Sequence, residues 1–112
     1  MIRPGELAPT TKGGDSVLAL AFYMRAGSWV GFGELDLAIA DYSAALAINP
    51  MFGPALAERG ATWAEKGNFA QAIADYNAAL RLNPRDERTK MKLALVLKLK
   101  YETDTRDSVV LN

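Results

Sequence analysis

The chain has 112 residues, half of them apolar, and its 13 basic and 13 acidic side chains leave a net charge of zero. That length suits one domain with a small core. Cysteine and histidine are both absent, which excludes a disulfide framework and thiolate chemistry and removes the commonest general base and metal ligand.

Residues 1–15 hold Pro4, Pro9, Gly5, Gly13 and Gly14 among polar neighbours. Such a stretch has too little apolar surface to offset the entropy of ordering and is expected to be a disordered leader. Asp15 or Ser16 can cap a first helix in which Leu18, Phe22, Ala26 and Trp29 recur at helical spacing. Gly27, Gly31 and Gly33 weaken its second half, at roughly 1 kcal/mol per interior glycine. The run Val17 to Met24 is too short to span a bilayer and is stopped by Arg25, so a cytoplasmic location is expected.

From about Asp36 a second helix carries Leu35, Ala38, Ile39, Tyr42, Ala45 and Leu46 on one stripe and is ended by Asn49 and Pro50. A third runs from about Pro54 to Lys66, with Gly67 in the left-handed position that closes a helix. Asn68, with Gln71 three residues on, can cap a fourth helix that extends from Phe69 to Leu82 and stops before Pro84. Asp86 caps a fifth, Glu87 to Tyr101, and residues 102–112 are expected to form a flexible tail.

A shift of 34 residues superimposes the chain on itself. Ala38, Ile39, Ala40, Asp41, Tyr42, Ala44, Ala45, Leu46, Asn49 and Pro50 fall on Ala72, Ile73, Ala74, Asp75, Tyr76, Ala78, Ala79, Leu80, Asn83 and Pro84. A period of this length marks a solenoid, whose helix pairs bury their apolar faces only against neighbours. Leu56, Arg59, Gly60, Trp63, Ala72, Tyr76 and Pro84, and in the first copy Phe22, Arg25, Ala26, Trp29, Ala38, Tyr42 and Pro50, stand at the spacings of the 34-residue tetratricopeptide pattern. The chain therefore resembles a tetratricopeptide repeat protein. Its repeats would span about 19–52 and 53–86, with residues 87–101 as a capping helix and the whole domain covering 16–101. The resemblance implies an all-α fold, a right-handed solenoid of antiparallel helix pairs built from five helices. It departs from the family at Arg25 and Arg59, where leucine is usual; an arginine there has to run its stem along the core edge and send the guanidinium to water or to an acidic partner.

By the same resemblance, the first helix of each repeat would line a concave groove for a peptide or helix of a partner protein. In register, the lining is Leu20, Tyr23, Met24, Gly27 and Val30, then Ala57, Glu58, Ala61, Ala64 and Glu65, then Arg88, Met91, Lys92, Leu95, Lys98 and Leu99. Some family members clamp the C-terminal carboxylate of chaperones along this groove. Arg88 and Lys92 fit the basic half of such a clamp, whereas Tyr23, Gly27 and Glu58 replace its other lysine and two asparagines, and a glutamate repels a carboxylate.

The fifth helix carries two apolar faces. Ala94, Leu97 and Tyr101, with Lys90 or Leu93, are expected to cover the fourth helix, while Met91, Leu95 and Leu99 form a second stripe. That stripe can meet a partner segment, a second copy of the chain or the chain's own Val109 to Leu111, or the helix can simply sit deep in a small protein. A non-catalytic interaction or scaffold module with a protein or peptide partner is the favoured reading. Self-association as a homodimer through the fifth helix is the alternative, since two repeats and a cap are fewer than such stacks usually need. Arg81 to Lys100 holds seven basic residues against two acidic ones, but without interleaved aromatics it does not suggest nucleic acid. No phosphate loop, nucleophile elbow or metal-ligand spacing appears, so no cofactor, metal, small-molecule substrate or membrane insertion is expected.

Overall fold

Glycine and the Asn-Pro pairs decide where the helices stop. In the computed structural model, which describes residues 12–111 and the side chains of 15–106, the helices are α1 (Lys12–Gly31), α2 (Leu35–Ile48), α3 (Gly53–Glu65), α4 (Phe69–Leu82) and α5 (Glu87–Leu111). No strand occurs among the described residues. Each helix packs on the next, with a slight additional contact between α3 and α5. Short connections make neighbours antiparallel, so two hairpins and a last helix stack as an α-solenoid.

The two hairpin turns are copies of each other. Gly33 and Gly67 take positive φ values of 77° and 83°, and the residues after them donate back into the helix, Glu34 N to Trp29 O at 2.9 Å and Asn68 N to Trp63 O at 2.8 Å. The expected side-chain cap from Asn68 does not form; its carbonyl accepts from Ala72 N instead. Asn49 and Asn83 stop α2 and α4 through their side chains, which accept from Met51 N (3.1 Å) and Arg85 N (3.3 Å), the local turn that asparagine favours. Asp86 does cap α5: it accepts from Thr89 N at 3.2 Å and from the Thr89 hydroxyl at 2.7 Å.

Two boundaries differ from expectation. Helix α1 begins at Lys12, inside the stretch read as a leader, so Asp15 lies in its first turn, where a negative charge favours the helix dipole; residues 1–11 lie outside the described residues. Helix α5 continues to Leu111, where a flexible tail was expected from residue 102. No glycine or proline interrupts it, and Lys98–Glu102 (4.0 Å) and Lys100–Asp104 (2.7 Å) pair one turn apart across the expected boundary.

The core is a column of small residues filled by aromatic rings. Ala26, Ala38, Tyr42, Leu46, Ala55 and Leu56 form one buried cluster with Tyr23, Trp29 and Phe52 against it. Ala72, Tyr76 and Val96 form another, flanked by Trp63, Phe69 and Leu93. Gly60 is the tightest approach: a Cβ there would stand 3.0 Å from the Tyr76 ring and 3.2 Å from the Asp75 Cβ.

Arg25 and Arg59 find acidic partners on the facing helix. Arg25 Nε and Nη2 donate to Asp41 at 2.6 and 2.8 Å, and Trp29 Nε1 adds a third bond to the same carboxylate at 3.0 Å. Arg59 repeats the fork on Asp75 at 2.7 and 2.8 Å and sends Nη1 to the Ser43 hydroxyl of the preceding hairpin at 3.0 Å. Both aspartates are buried, which requires that their oxygens be satisfied.

Helix α5 meets α4 with a different face from the one expected. Thr89 and Val96 are buried and Leu93 is half-buried against the second cluster, whereas Ala94, Leu97 and Tyr101 are exposed. The pairing of the Thr89 hydroxyl with Asp86 makes a polar residue acceptable at the contact, which a count of apolar positions overlooks.

Two stability outcomes follow from this packing. Gly27 has open space around a would-be Cβ, so Gly27→Ala should stabilise by about 1 kcal/mol, raising the thermal midpoint by about 4–8 °C in a domain of this size. Gly60→Ala should lower the midpoint, at a cost of about 1–3 kcal/mol, because the ring it displaces is buried and Asp75 is held by Arg59.

A third outcome concerns acid. Hydrogen bonds from Arg25 hold the Asp41 carboxyl below its ordinary value of 3.8, against the opposing effect of burial. A group depressed in the folded state contributes fully above its unfolded value and loses that contribution as pH falls through its folded value. Denaturant midpoints should therefore decline below about pH 4. Asp41→Asn should be less stable at neutral pH and show a shallower decline on acidification.

Candidate groove between the first helices

The expected groove residues fall into a contiguous centre and two flanks. At the centre, a cleft of about 240 Å³ opens where α3, the end of α4 and the start of α5 converge. Ala57 and Glu58 of α3 line one wall and Arg88 and Lys92 of α5 the other, while Leu82, Asn83 and Asp86 close the end. Arg88 and Lys92 reach the cleft together because they stand one turn apart on α5. The cap that starts α5 places Asp86 beside them.

Tyr23 adjoins this centre from α1. Its ring packs on Phe52 (centroids 5.0 Å apart) and on Tyr42 (5.8 Å), so it belongs to the core as much as to the groove. Burial first, and the nearby Glu58 charge second, raise the Tyr23 and Tyr76 hydroxyls above the ordinary tyrosine value and push Tyr42 up to about 12. Glu58 therefore stands close to all three phenols, which stay neutral donors at physiological pH.

The flanks follow from helical spacing. Leu20 and Met24 share the α1 face of Tyr23 and are exposed, with Val30 half-buried against the core. Ala61 is half-buried against the second cluster, and Glu65 is exposed at the end of α3. Met91, Leu95 and Leu99 share the α5 face of Arg88 and Lys92 and are exposed. Leu82, Asn83 and Asp86 are lining residues that the sequence reading missed: the cap position of Asp86 was legible, but its place at the end of the cleft depends on how α5 packs.

Electrostatically the centre is mixed, with two acidic and two basic side chains around a floor of small apolar atoms. It can hold a segment that presents both signs of charge beside an apolar side chain. Among the described residues no three acidic side chains gather as a metal site, and no helix is long and apolar enough to cross a membrane.

Comparison with known proteins agrees with this architecture. Residues 54–86 match the family described as tetratricopeptide repeat. Among solved structures, the chain is similar to the first tetratricopeptide domain of Spaghetti (RPAP3), recorded bound to the HSP90 peptide SRMEEVD. That likeness has a TM-score of 0.72 at 22% sequence identity and covers 74% of this chain and 66% of the other. A comparison with curated proteins gave no match.

Proposed function

We propose that this chain, whose residues 54–86 match the tetratricopeptide repeat family, is a non-catalytic module that holds a peptide or helix of a partner protein along the face formed by α1, α3 and α5. The observation that carries the reading is the cleft between α3 and α5, where Glu58 and Asp86 stand near Arg88 and Lys92 over Ala57. The peptide bound by the similar RPAP3 domain supports a short linear ligand. Glu58 argues against a bare C-terminal carboxylate seated at the middle of the groove. A ligand with an internal acidic residue for Arg88 and Lys92, a basic residue for Glu58 and an apolar anchor for Met91 and Leu95 satisfies every wall. Self-association through α5 is a second reading, favoured by the exposure of Leu97 and Tyr101.

A displayed library of random peptides, selected on the full chain, tests the groove. Selected peptides should combine acidic, basic and apolar residues and bind with a Kd near about 1 µM. Arg88→Ala and Leu95→Glu should each weaken them by about tenfold, and Glu58→Lys should shift selection toward more acidic peptides. Peptides whose affinity ignores all three substitutions would place binding elsewhere and overturn the reading.

A further inference from the structure

The 34-residue offset identifies a vacancy on α5. Gly60 and Trp63 of α3 belong to the face that meets α4, and 34 residues on they become Ala94 and Leu97. In α3 that face is closed by the Tyr76 ring against Gly60. In α5 the corresponding face meets no helix among the described residues: Leu97 is 48% exposed and Tyr101 71%. Because α5 runs as helix to Leu111, residues 109–111 extend away from this face and cannot fold back to cover it.

We propose that a second copy of this chain covers it, α5 against α5 in antiparallel sense, each taking on the other the seat that α4 takes on α3. The face is self-complementary in that arrangement. Lys90, Ala94, Leu97, Tyr101 and Asp104 recur at alternating steps of four and three, the spacing of a coiled-coil seam about 21 Å long. With a two-fold axis at Leu97, that leucine meets its own copy. Ala94 then lies within one residue rise, about 1.5 Å, of Tyr101 across the seam, a small residue near a ring as Gly60 is near Tyr76. Lys90 lies across from Asp104, twice by symmetry.

Those charges are held only by surface pairs on their own helix, Lys90 with Glu87 at 3.2 Å and Asp104, 62% exposed, with Lys100 at 2.7 Å, and exchanging such exposed pairs costs little. Lys98, which flanks the axis, stays engaged with Glu102 along its own helix. A parallel pair would set Lys90 against Lys90 and Asp104 against Asp104, so charge selects the antiparallel sense. From Tyr101 to Arg106 every α5 side chain is exposed, and a projecting helical end without tertiary packing is marginal in water on propensity alone. A partner helix supplies that packing. The seam is separate from the Met91, Leu95 and Leu99 stripe, so the dimer leaves the peptide groove open.

Sedimentation equilibrium on the full chain, from about 1 µM to about 1 mM, should show conversion from the 12.1 kDa protomer to twice that mass. Leu97→Glu should remain helical by circular dichroism and sediment as a monomer. Lys90→Asp and Asp104→Lys should each weaken the dimer by about tenfold or more, and the two combined should restore it. Leu95→Glu should leave the dimer intact while weakening groove ligands, which separates this inference from the groove reading. A chain that stays monomeric throughout the range would overturn the proposal. So would a dimer in which the doubly reversed variant is no tighter than the single ones.

Discussion

The fold depends on a buried carboxylate that cannot be left alone. Asp41 and Asp75 are each sealed between two helices, and each is held by an arginine fork from the opposite side of the hairpin. A buried ion pair is not in itself a strong source of stability, because desolvation offsets much of the attraction. Removing the arginine, however, leaves an uncompensated carboxylate in the interior. Arginine and aspartate therefore act as one unit, and that unit fixes the rotation of the two helices about their axes. Small residues at the same contact, Ala26 and Ala38 in one hairpin and Gly60 against Asp75 and Tyr76 in the other, let the backbones come close enough for the fork to reach.

This constraint also explains how the chain departs from the usual tetratricopeptide pattern. Arginine at a position where leucine is common is tolerated because the facing position carries aspartate. The duplicated pairs were visible in the sequence separately, Arg25 and Arg59 in one column and Asp41 and Asp75 in another, all at the same 34-residue offset. Their mutual bond was not, since it joins residues 16 positions apart on different helices and follows from hairpin geometry. The helix count and the glycine turns at Gly33 and Gly67 were legible because each has a strong local cause, whereas the close approach of Gly60 to the Tyr76 ring was not. The start of α1 was not legible either, because the helix runs through Gly13 and Gly14, and the end of α5 was not, because no sharp breaker stands there. The rotation of α5 was misread because a threonine occupies a contact position where apolar counting looks for leucine.

Four residues of the lining that the tetratricopeptide resemblance implied share one cleft. Ala57, Glu58, Arg88 and Lys92 meet there because α3 and α5 are consecutive first helices of a regular stack. Tyr23 was expected in the same lining and is instead shared with the core, where it braces Phe52 and Tyr42. That sharing has a physical effect on recognition. The part of the surface nearest α1 is held by aromatic packing, while the stripe of Met91, Leu95 and Leu99 is free to adapt, methionine above all.

The bond from Arg59 to Ser43 carries an arginine fork beyond its own hairpin. It makes a single guanidinium answer to two structural units at once, so the orientation of α3 over α4 and its seat on α2 are set by the same group. In a linear stack, where each unit senses only its neighbour, such a shared group raises the boundary energy between them. Melting then spreads across the junction as one transition, and the two hairpins gain or lose their order together.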